Sequence, residues 1–131
     1  SHHYGIDDFY KTGLTMITVV NREYCKKLLI SLPGQYHPEQ YHKKKEETFV
    51  VLFGDVQLEL DGKIQTLNQG DIITIEPEVR HAFNTIGGCI IEEVSSTHYI
   101  DDSYYTDESI GKNKNRKTLV TEWTGWDLLK K

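Results

Sequence analysis

The chain has 131 residues and a formal net charge of −5 at pH 7, which is room for one domain and leaves no basic field for nucleic acid. A single alanine, Ala82, stands against eight valines, twelve isoleucines and twelve threonines. Because β-branched residues favour strands and alanine favours helices, this composition excludes a helical bundle. No apolar run approaches the roughly 20 residues of a membrane helix, so we expect no membrane partner.

Short strands separated by turn signals follow one another between about residues 14 and 97. The Asp61-Gly62 pair is typical of a tight hairpin turn, because both of its residues must take positive φ. Strands at roughly ten-residue spacing without intervening helices predict an all-β sandwich or barrel. In chain order, the predicted strands are Leu14–Val20, Leu28–Leu32, Thr48–Phe53, Asp55–Leu60, Lys63–Leu67, Ile72–Glu76 and Cys89–Ser96.

We interpret the chain as a single domain over residues 1–131, with a core at about 14–97 and a polar tail at 98–131. Asp101–Lys117 is polar and predicts a loop or mobile arm. Leu119–Lys131 can form a short C-terminal helix around its two tryptophans. Cys25 and Cys89 stand in no CxxC pair, which favours two reduced core thiols and a cytoplasmic location.

Three of the six histidines fall where they can meet: His37, His42 and His81. The terminal His2 and His3 receive no ligand role. Two histidines and a carboxylate from neighbouring strands are a usual ligand set for Mn, Fe, Co, Ni or Zn. The competing interpretation is a pair of half-buried histidines beside a solvated Lys/Glu cluster.

The carboxylate candidate lies just after His42. In an extended chain, Gln40 and His42 share one face, and Lys45 and Glu47 share another. The odd spacing between His42 and Lys45 requires a bend at residues 43–44. Such a bend can aim all four side chains at one point.

The spacing of these residues resembles the two motifs of the cupin superfamily. Glu47 is followed by six residues and then Gly54, as in the first motif, and His81 lies eleven residues after Gly70, as in the second. The resemblance covers about residues 31–94. It implies a double-stranded β-helix, the cupin jelly-roll barrel, which is commonly a homodimer. It also implies that His42, Glu47 and His81 are metal ligands.

The chain departs from the cupin pattern at Gln40, where the family has its first histidine. Three interpretations stay open. Gln40 is a weak ligand through its amide oxygen, nearby His37 replaces the missing histidine, or the site has lost its metal. His37 is out of phase with His42, so the second interpretation needs a local distortion.

A narrower resemblance concerns residues 40–47. Gln40-x-His42-x-x-Lys45-x-Glu47 resembles the His-x-His-x-x-Lys-x-Glu of cupin-type D-lyxose isomerases, which are manganese-dependent. This resemblance implies that Lys45 polarises a sugar oxygen and that a metal stabilises the enediolate. On the last predicted strand, alternation turns either Glu92 or Glu93 inward as a candidate base, unless a bulge turns both outward.

Residues 97–105 also resemble cupin domains attached to bacterial N-acetylneuraminate synthase-like proteins. That resemblance implies a sugar-acid substrate and a role in surface-polysaccharide or sialic-acid-type metabolism. We carry forward three hypotheses. The protein is a metal-dependent sugar isomerase or epimerase, a non-catalytic sugar-binding module with a weakened metal site, or a module whose chief property is dimerisation through an edge strand.

Overall fold

A computed structural model describes residues 1–120. Its strands form two five-stranded antiparallel sheets, which include the predicted strands. A 3-10 turn at Ile6–Asp8 leads into α1 (Phe9–Thr12), and α2 (Glu108–Lys112) follows the last strand. The strands of this part of the chain are β1 (Thr15–Asn21), β2 (Tyr24–Ser31), β3 (Tyr36–Tyr41), β4 (Glu47–Gly54), β5 (Val56–Leu60), β6 (Lys63–Leu67), β7 (Ile72–Ile75), β8 (His81–Asn84), β9 (Cys89–Ser96) and β10 (Tyr104–Tyr105).

The strand order brings together segments that are far apart in sequence. One sheet has the order β1-β2-β9-β4-β7 and the other β10-β3-β8-β5-β6. Two antiparallel sheets interleaved in this way confirm the all-β, jelly-roll architecture. Within residues 1–120, no helix has both the length and the apolar character needed to cross a lipid bilayer.

Local sequence signals located most of the strands. The strands at Lys63–Leu67 and Cys89–Ser96 are confirmed at both ends. Asp61 and Gly62 take φ values of 46° and 83°, which confirms the tight hairpin turn. Three strands were not predicted: β3, β8 and β10. They are short, and β3 contains a proline, so pairing with neighbours rather than local propensity holds them extended.

The tail differs from the predicted loop or mobile arm. Residues 104–105 pair with β3, and the short helix α2 follows, with Ile110 fully buried. This segment therefore extends the second sheet rather than standing free. The predicted C-terminal helix lies largely outside the described residues, as do Trp123 and Trp126.

The barrel interior is apolar at one end and polar at the other. Inward-facing side chains alternate along β2, β4 and β9. Leu29, Ile91 and Val51 lie opposite one another on these neighbouring strands and belong to the hydrophobic core. Further along the same strands, buried Lys27, Glu93 and Glu47 replace the apolar residues.

Gly54 closes the apolar end where β4 meets the start of β9. Its φ is 82°, and a Cβ at this position would lie 2.0 Å from the carbonyl oxygen of Gly88. Only glycine fits both the conformation and the close approach. The glycine that follows Glu47 after six intervening residues therefore has a structural reason.

Candidate metal centre

Three buried side chains from three strand ends meet at the polar end of the barrel. His42 follows β3, Glu47 begins β4 and His81 begins β8. Glu47 Oε1 lies 2.9 Å from His81 Nε2 and 3.5 Å from His42 Nε2. None of the three is more than 4 % exposed. The structure thus brings together the three ligand candidates that the sequence named.

Hydrogen bonds on the far side of each imidazole set its orientation. His42 Nδ1 donates to the carbonyl oxygen of Asp102 at 2.7 Å, and His81 Nδ1 donates to that of Val79 at 2.9 Å. Because a carbonyl only accepts, each Nδ1 carries the proton and each Nε2 keeps its lone pair in the neutral ring. Ligating histidines in metalloproteins show this arrangement.

The inward atoms of this group fit a divalent cation. The two Nε2 atoms and Glu47 Oε1 are buried, and none of them has a partner with hydrogen-bond geometry among the described residues. The three ligand atoms lie within 4.8 Å of one another. Two imidazole nitrogens and a carboxylate oxygen aimed at one point form a donor set suited to Mn, Fe, Ni or Zn.

Gln40 adds a fourth buried donor beside this group. It lies directly opposite His81 in the pairing of β3 with β8, so both side chains are on the same face. Its Oε1 is buried without a hydrogen-bond partner among the described residues. This geometry fits the interpretation of Gln40 as a weak, neutral ligand.

His37 lines the cavity that His42 and Glu47 also border, but it is not part of the three-residue group. Its ring stacks on Phe83 with centroids 5.0 Å apart, and its Nδ1 donates to the carbonyl of Pro38. Burial holds the pKa of His37 well below its ordinary value, so the ring is neutral. A register shift between His37 and Gln40 is the local distortion that turns both side chains inward.

Lys45 connects the ligand group with a second carboxylate. Its Nζ lies 3.2 Å from Glu47 Oε2 and 3.4 Å from Glu93 Oε2. Burial opposes the charge on Lys45, but the two carboxylates outweigh burial and raise the pKa of the lysine above its ordinary value. Burial and the charge of Glu47 raise the pKa of Glu93 to about 7, against the opposing charge of Lys45.

The alternation of β9 separates the two adjacent glutamates. Glu93 is 5 % exposed and faces the barrel interior. Glu92 faces outward, where its carboxylate pairs with Lys26 Nζ at 3.1 Å. Of the two candidate bases, only Glu93 lies at the cavity, and no bulge turns both outward.

Asp102 is a positioning residue that sequence reasoning missed. Its carboxylate accepts hydrogen bonds from the backbone N–H groups of Lys43, Lys44 and Lys45 at 3.0–3.2 Å. These bonds hold the bend that the spacing of His42 and Lys45 required. The available signal was an aspartate in an otherwise unassigned polar segment, which does not by itself identify a partner.

His3 was assigned no role, yet it lines the same cavity. It is 1 % exposed, its Nδ1 donates to the carbonyl of Thr12, and its ring contacts those of His37 and Tyr105. The cavity has a volume of about 50 Å³, is open on one side and is bordered by polar side chains from both sheets.

Comparisons with known proteins show which families this chain resembles. A family model described as "Cupin domain" matches residues 28–90. The D-lyxose/D-mannose isomerase of Thermosediminibacter oceani is 31 % identical over 136 aligned positions, covering 82 % of this chain and 75 % of that protein. The D-lyxose ketol-isomerase of Thermofilum sp. is 28 % identical and covers 82 % and 76 %, respectively.

The fold also matches solved structures. The L-ribose isomerase of Cellulomonas parahominis, solved with L-ribose, superposes with a TM-score of 0.72 at 14 % sequence identity. The match covers 82 % of this chain and 74 % of that chain. At this identity the likeness concerns the fold alone.

Proposed function

The chain belongs to the cupin family and is sugar isomerase-like. We propose that it interconverts an aldose and the corresponding ketose with the help of a divalent metal. This proposal rests mainly on one observation: His42 Nε2, His81 Nε2 and Glu47 Oε1 converge beside the buried Lys45–Glu93 pair. The D-lyxose isomerases among its relatives support this choice of reaction.

In this proposal, His42, Glu47 and His81 hold the metal, with Gln40 as a weaker fourth ligand. The bound metal stabilises negative charge on sugar oxygens during the reaction. Manganese is favoured by the resemblance in residues 40–47, with Fe, Zn and Ni as the other candidates.

The chain's own residues supply the proton transfer. Isomerisation moves one proton from the carbon next to the carbonyl to the former carbonyl carbon, while the hydroxyl on the first of these carbons loses its proton and the former carbonyl oxygen gains one. Glu93 accepts the proton that leaves carbon and returns it to the former carbonyl carbon, because it is the inward carboxylate that is not one of the proposed ligands. Lys45 Nζ, fixed between Glu47 and Glu93, donates a hydrogen bond to the sugar oxygen that gains charge.

A pair of adjacent substitutions tests this assignment. We expect Glu93→Gln to lower kcat by about 10²–10⁴-fold, while Glu92→Gln, on the outer face of the same strand, retains activity within a few-fold. Protein reconstituted with Mn²⁺ is assayed for ketose formation from D-lyxose and D-mannose, and for incorporation of solvent deuterium at carbon. Absence of turnover and exchange with Mn²⁺ present, or equal losses in both variants, contradicts the proposal.

A non-catalytic sugar-binding module is the second candidate, because Gln40 stands where the cupin motif has a histidine. Calorimetry with the same sugars separates the two functions. Binding that survives EDTA, without turnover in Mn²⁺, favours the binding module. Metal-dependent turnover favours the isomerase.

The setting of the activity is a further proposal. A role in surface-polysaccharide or sialic-acid-type metabolism is supported by the resemblance of residues 97–105. The homodimer is supported by what the cupin resemblance implies and by the exposed edge strand β1. Light scattering on the purified protein tests the dimer. The cytoplasmic location is supported by two free, buried thiols, Cys25 and Cys89.

A further inference from the structure

The cavity and the whole chain have charges of opposite sign. The chain carries a net charge of −5. The described residues that line the cavity nevertheless include four cationic side chains and two carboxylates, Glu47 and Glu93. The four form what we call the cationic cluster: Lys27, Lys45, Arg116 and Lys117.

The two carboxylates are already occupied by one member of this cluster. Both of them pair with Lys45. Lys27 is only 7 % exposed, yet it makes no side-chain hydrogen bond or ion pair with any residue from 1 to 120. A buried ammonium without a partner costs free energy, so its presence needs a compensating anion.

Neighbouring groups respond to the resulting positive potential. Burial lowers the pKa of Lys27 despite the nearby carboxylate of Glu93. Desolvation and repulsion from Arg116, Lys27 and Lys45 lower the pKa of Lys117 to about 8. Desolvation, followed by the charges of Lys27, Lys45 and Lys117, lowers the pKa of His98 to about 3. The cationic side chains around the cavity therefore oppose one another's charge, and a bound anion would relieve this repulsion.

Lys27 lies on the opposite side of β9 from Glu47, one of the proposed metal ligands. It faces Glu93 across the β2–β9 pairing, whereas Glu47 lies on β4, on the other side of β9. Adjacent strands are about 4.8 Å apart, so the backbones of β2 and β4 are separated by about 10 Å. Arg116, whose guanidinium packs 5.2 Å above the ring of Tyr105, also borders the cavity.

We propose that the cavity takes sugars with an anionic group at the end remote from the carbonyl, a carboxylate or a phosphate, and that Lys27, assisted by Arg116 and Lys117, binds this group. The carbonyl end then lies beside Lys45 and the proposed metal ligands. This orientation rests on the proposed isomerase function. The preference for an anion rests on the charge distribution alone.

Three sugars with a common skeleton test the inference: D-mannose, D-mannuronate and D-mannose 6-phosphate. Their dissociation constants are measured by calorimetry on the full chain, loaded with Mn²⁺ and treated with EDTA, at two salt concentrations. We expect at least one anionic sugar to bind about tenfold or more tightly than D-mannose, because a hydrogen bond between charged groups is stronger than one between neutral groups. The advantage should shrink at high salt. Which anion wins identifies the carboxylate or the phosphate.

Matched lysine variants locate the effect. Lys27→Met should remove most of the preference and keep the fold, because it replaces an unpaired buried cation with an apolar chain of similar length. Lys27→Arg should restore part of it. Lys26→Met, next in sequence but on the outer face beside Glu92, should leave the preference intact. Lys117→Met supplies a second variant at the cavity opening.

The outcomes distinguish a failure of this inference from a failure of the proposed isomerase function. Preferential binding of an anionic sugar that Lys27→Met abolishes supports the inference, even without turnover, in which case the isomerase proposal fails. Equal or tighter binding of D-mannose overturns the inference, and turnover of D-mannose then still supports the isomerase. Loss of the preference in Lys26→Met to the same extent as in Lys27→Met also overturns it. Absence of binding by all three sugars overturns both.

Discussion

Asp102 holds His42 through its backbone and the neighbouring bend through its side chain. Its carbonyl oxygen accepts the proton of His42 Nδ1 at 2.7 Å, while its carboxylate binds three consecutive backbone N–H groups at residues 43–45. One residue from the tail therefore sets both the imidazole orientation and the path of the chain to Lys45. Metal sites depend on such supporting contacts nearly as much as on their ligands.

Removing the Asp102 carboxylate should loosen the proposed metal site. We expect Asp102→Ala to weaken Mn²⁺ binding by about 10–100-fold and to lower the free energy of unfolding by about 1–3 kcal/mol. Metal titration and urea unfolding measure the two effects. Asp101→Ala is the matched control, since Asp101 is exposed. Equal metal affinity in the two variants would contradict the positioning role.

Restoring the missing histidine should strengthen the site. Because imidazole is a better donor than a neutral amide for transition metals, we expect Gln40→His to raise Mn²⁺ affinity by about tenfold or more. Gln65→His, on the exposed face of β6, controls for adding a histidine elsewhere. If Gln40→His raises Mn²⁺ affinity no more than Gln65→His does, Gln40 is not positioned as a ligand.

Neutralising Lys45 should destabilise the fold as well as the activity. Lys45→Met leaves two buried carboxylates without their shared cation, which typically costs about 3–5 kcal/mol. Adding Glu93→Gln to this variant removes one uncompensated charge, so the double variant should recover part of the lost stability. Chemical denaturation of the single and double variants measures this coupling, with exposed Lys44→Met as the control. Additive losses would show that the two side chains do not interact.

Acid should weaken the fold through His3 and His37. Burial lowers the pKa of His3 from 6.5 to about 4, and it holds the pKa of His37 well below its ordinary value. The folded state therefore keeps both rings neutral, while the unfolded chain gains protons below pH 6.5. The free energy of unfolding should consequently fall as the pH drops from about 6.5 toward 4, by about 2 kcal/mol at pH 5 from His3 alone.

Urea unfolding at pH 7.5 and pH 5 checks this linkage. His3→Gln retains a polar donor near Thr12 but cannot be protonated in this range. We therefore expect a smaller difference between the two pH values in the variant than in the unaltered chain. A pH difference that is the same in both proteins would exclude His3 as a source of the acid sensitivity.

The positions of most strands followed from local patterns, and the three ligand candidates followed from the spacing of His42, Glu47 and His81 and its resemblance to the cupin motifs. Alternating residues in β5, the Asp61-Gly62 turn and the spacing from Glu47 to Gly54 each report a backbone geometry that depends on near neighbours. The requirement for a bend between His42 and Lys45 followed from the parity of an extended chain. The structure supplied the means of that bend, which is the Asp102 carboxylate.

Composition and turn signals by themselves determined that this is an all-β chain, and the resemblance of its spacing to the two cupin motifs supplied His42, Glu47 and His81 as the candidate ligand set. Only the tertiary structure decided which of two adjacent glutamates faces inward, that His37 and Gln40 both turn into the cavity, and that an acidic chain encloses a cationic cluster. The physical reason is that burial and charge pairing depend on long-range contacts. Lys27 is an ordinary strand lysine in sequence, and only the packing of β2 against β9 buries it without a partner among residues 1–120.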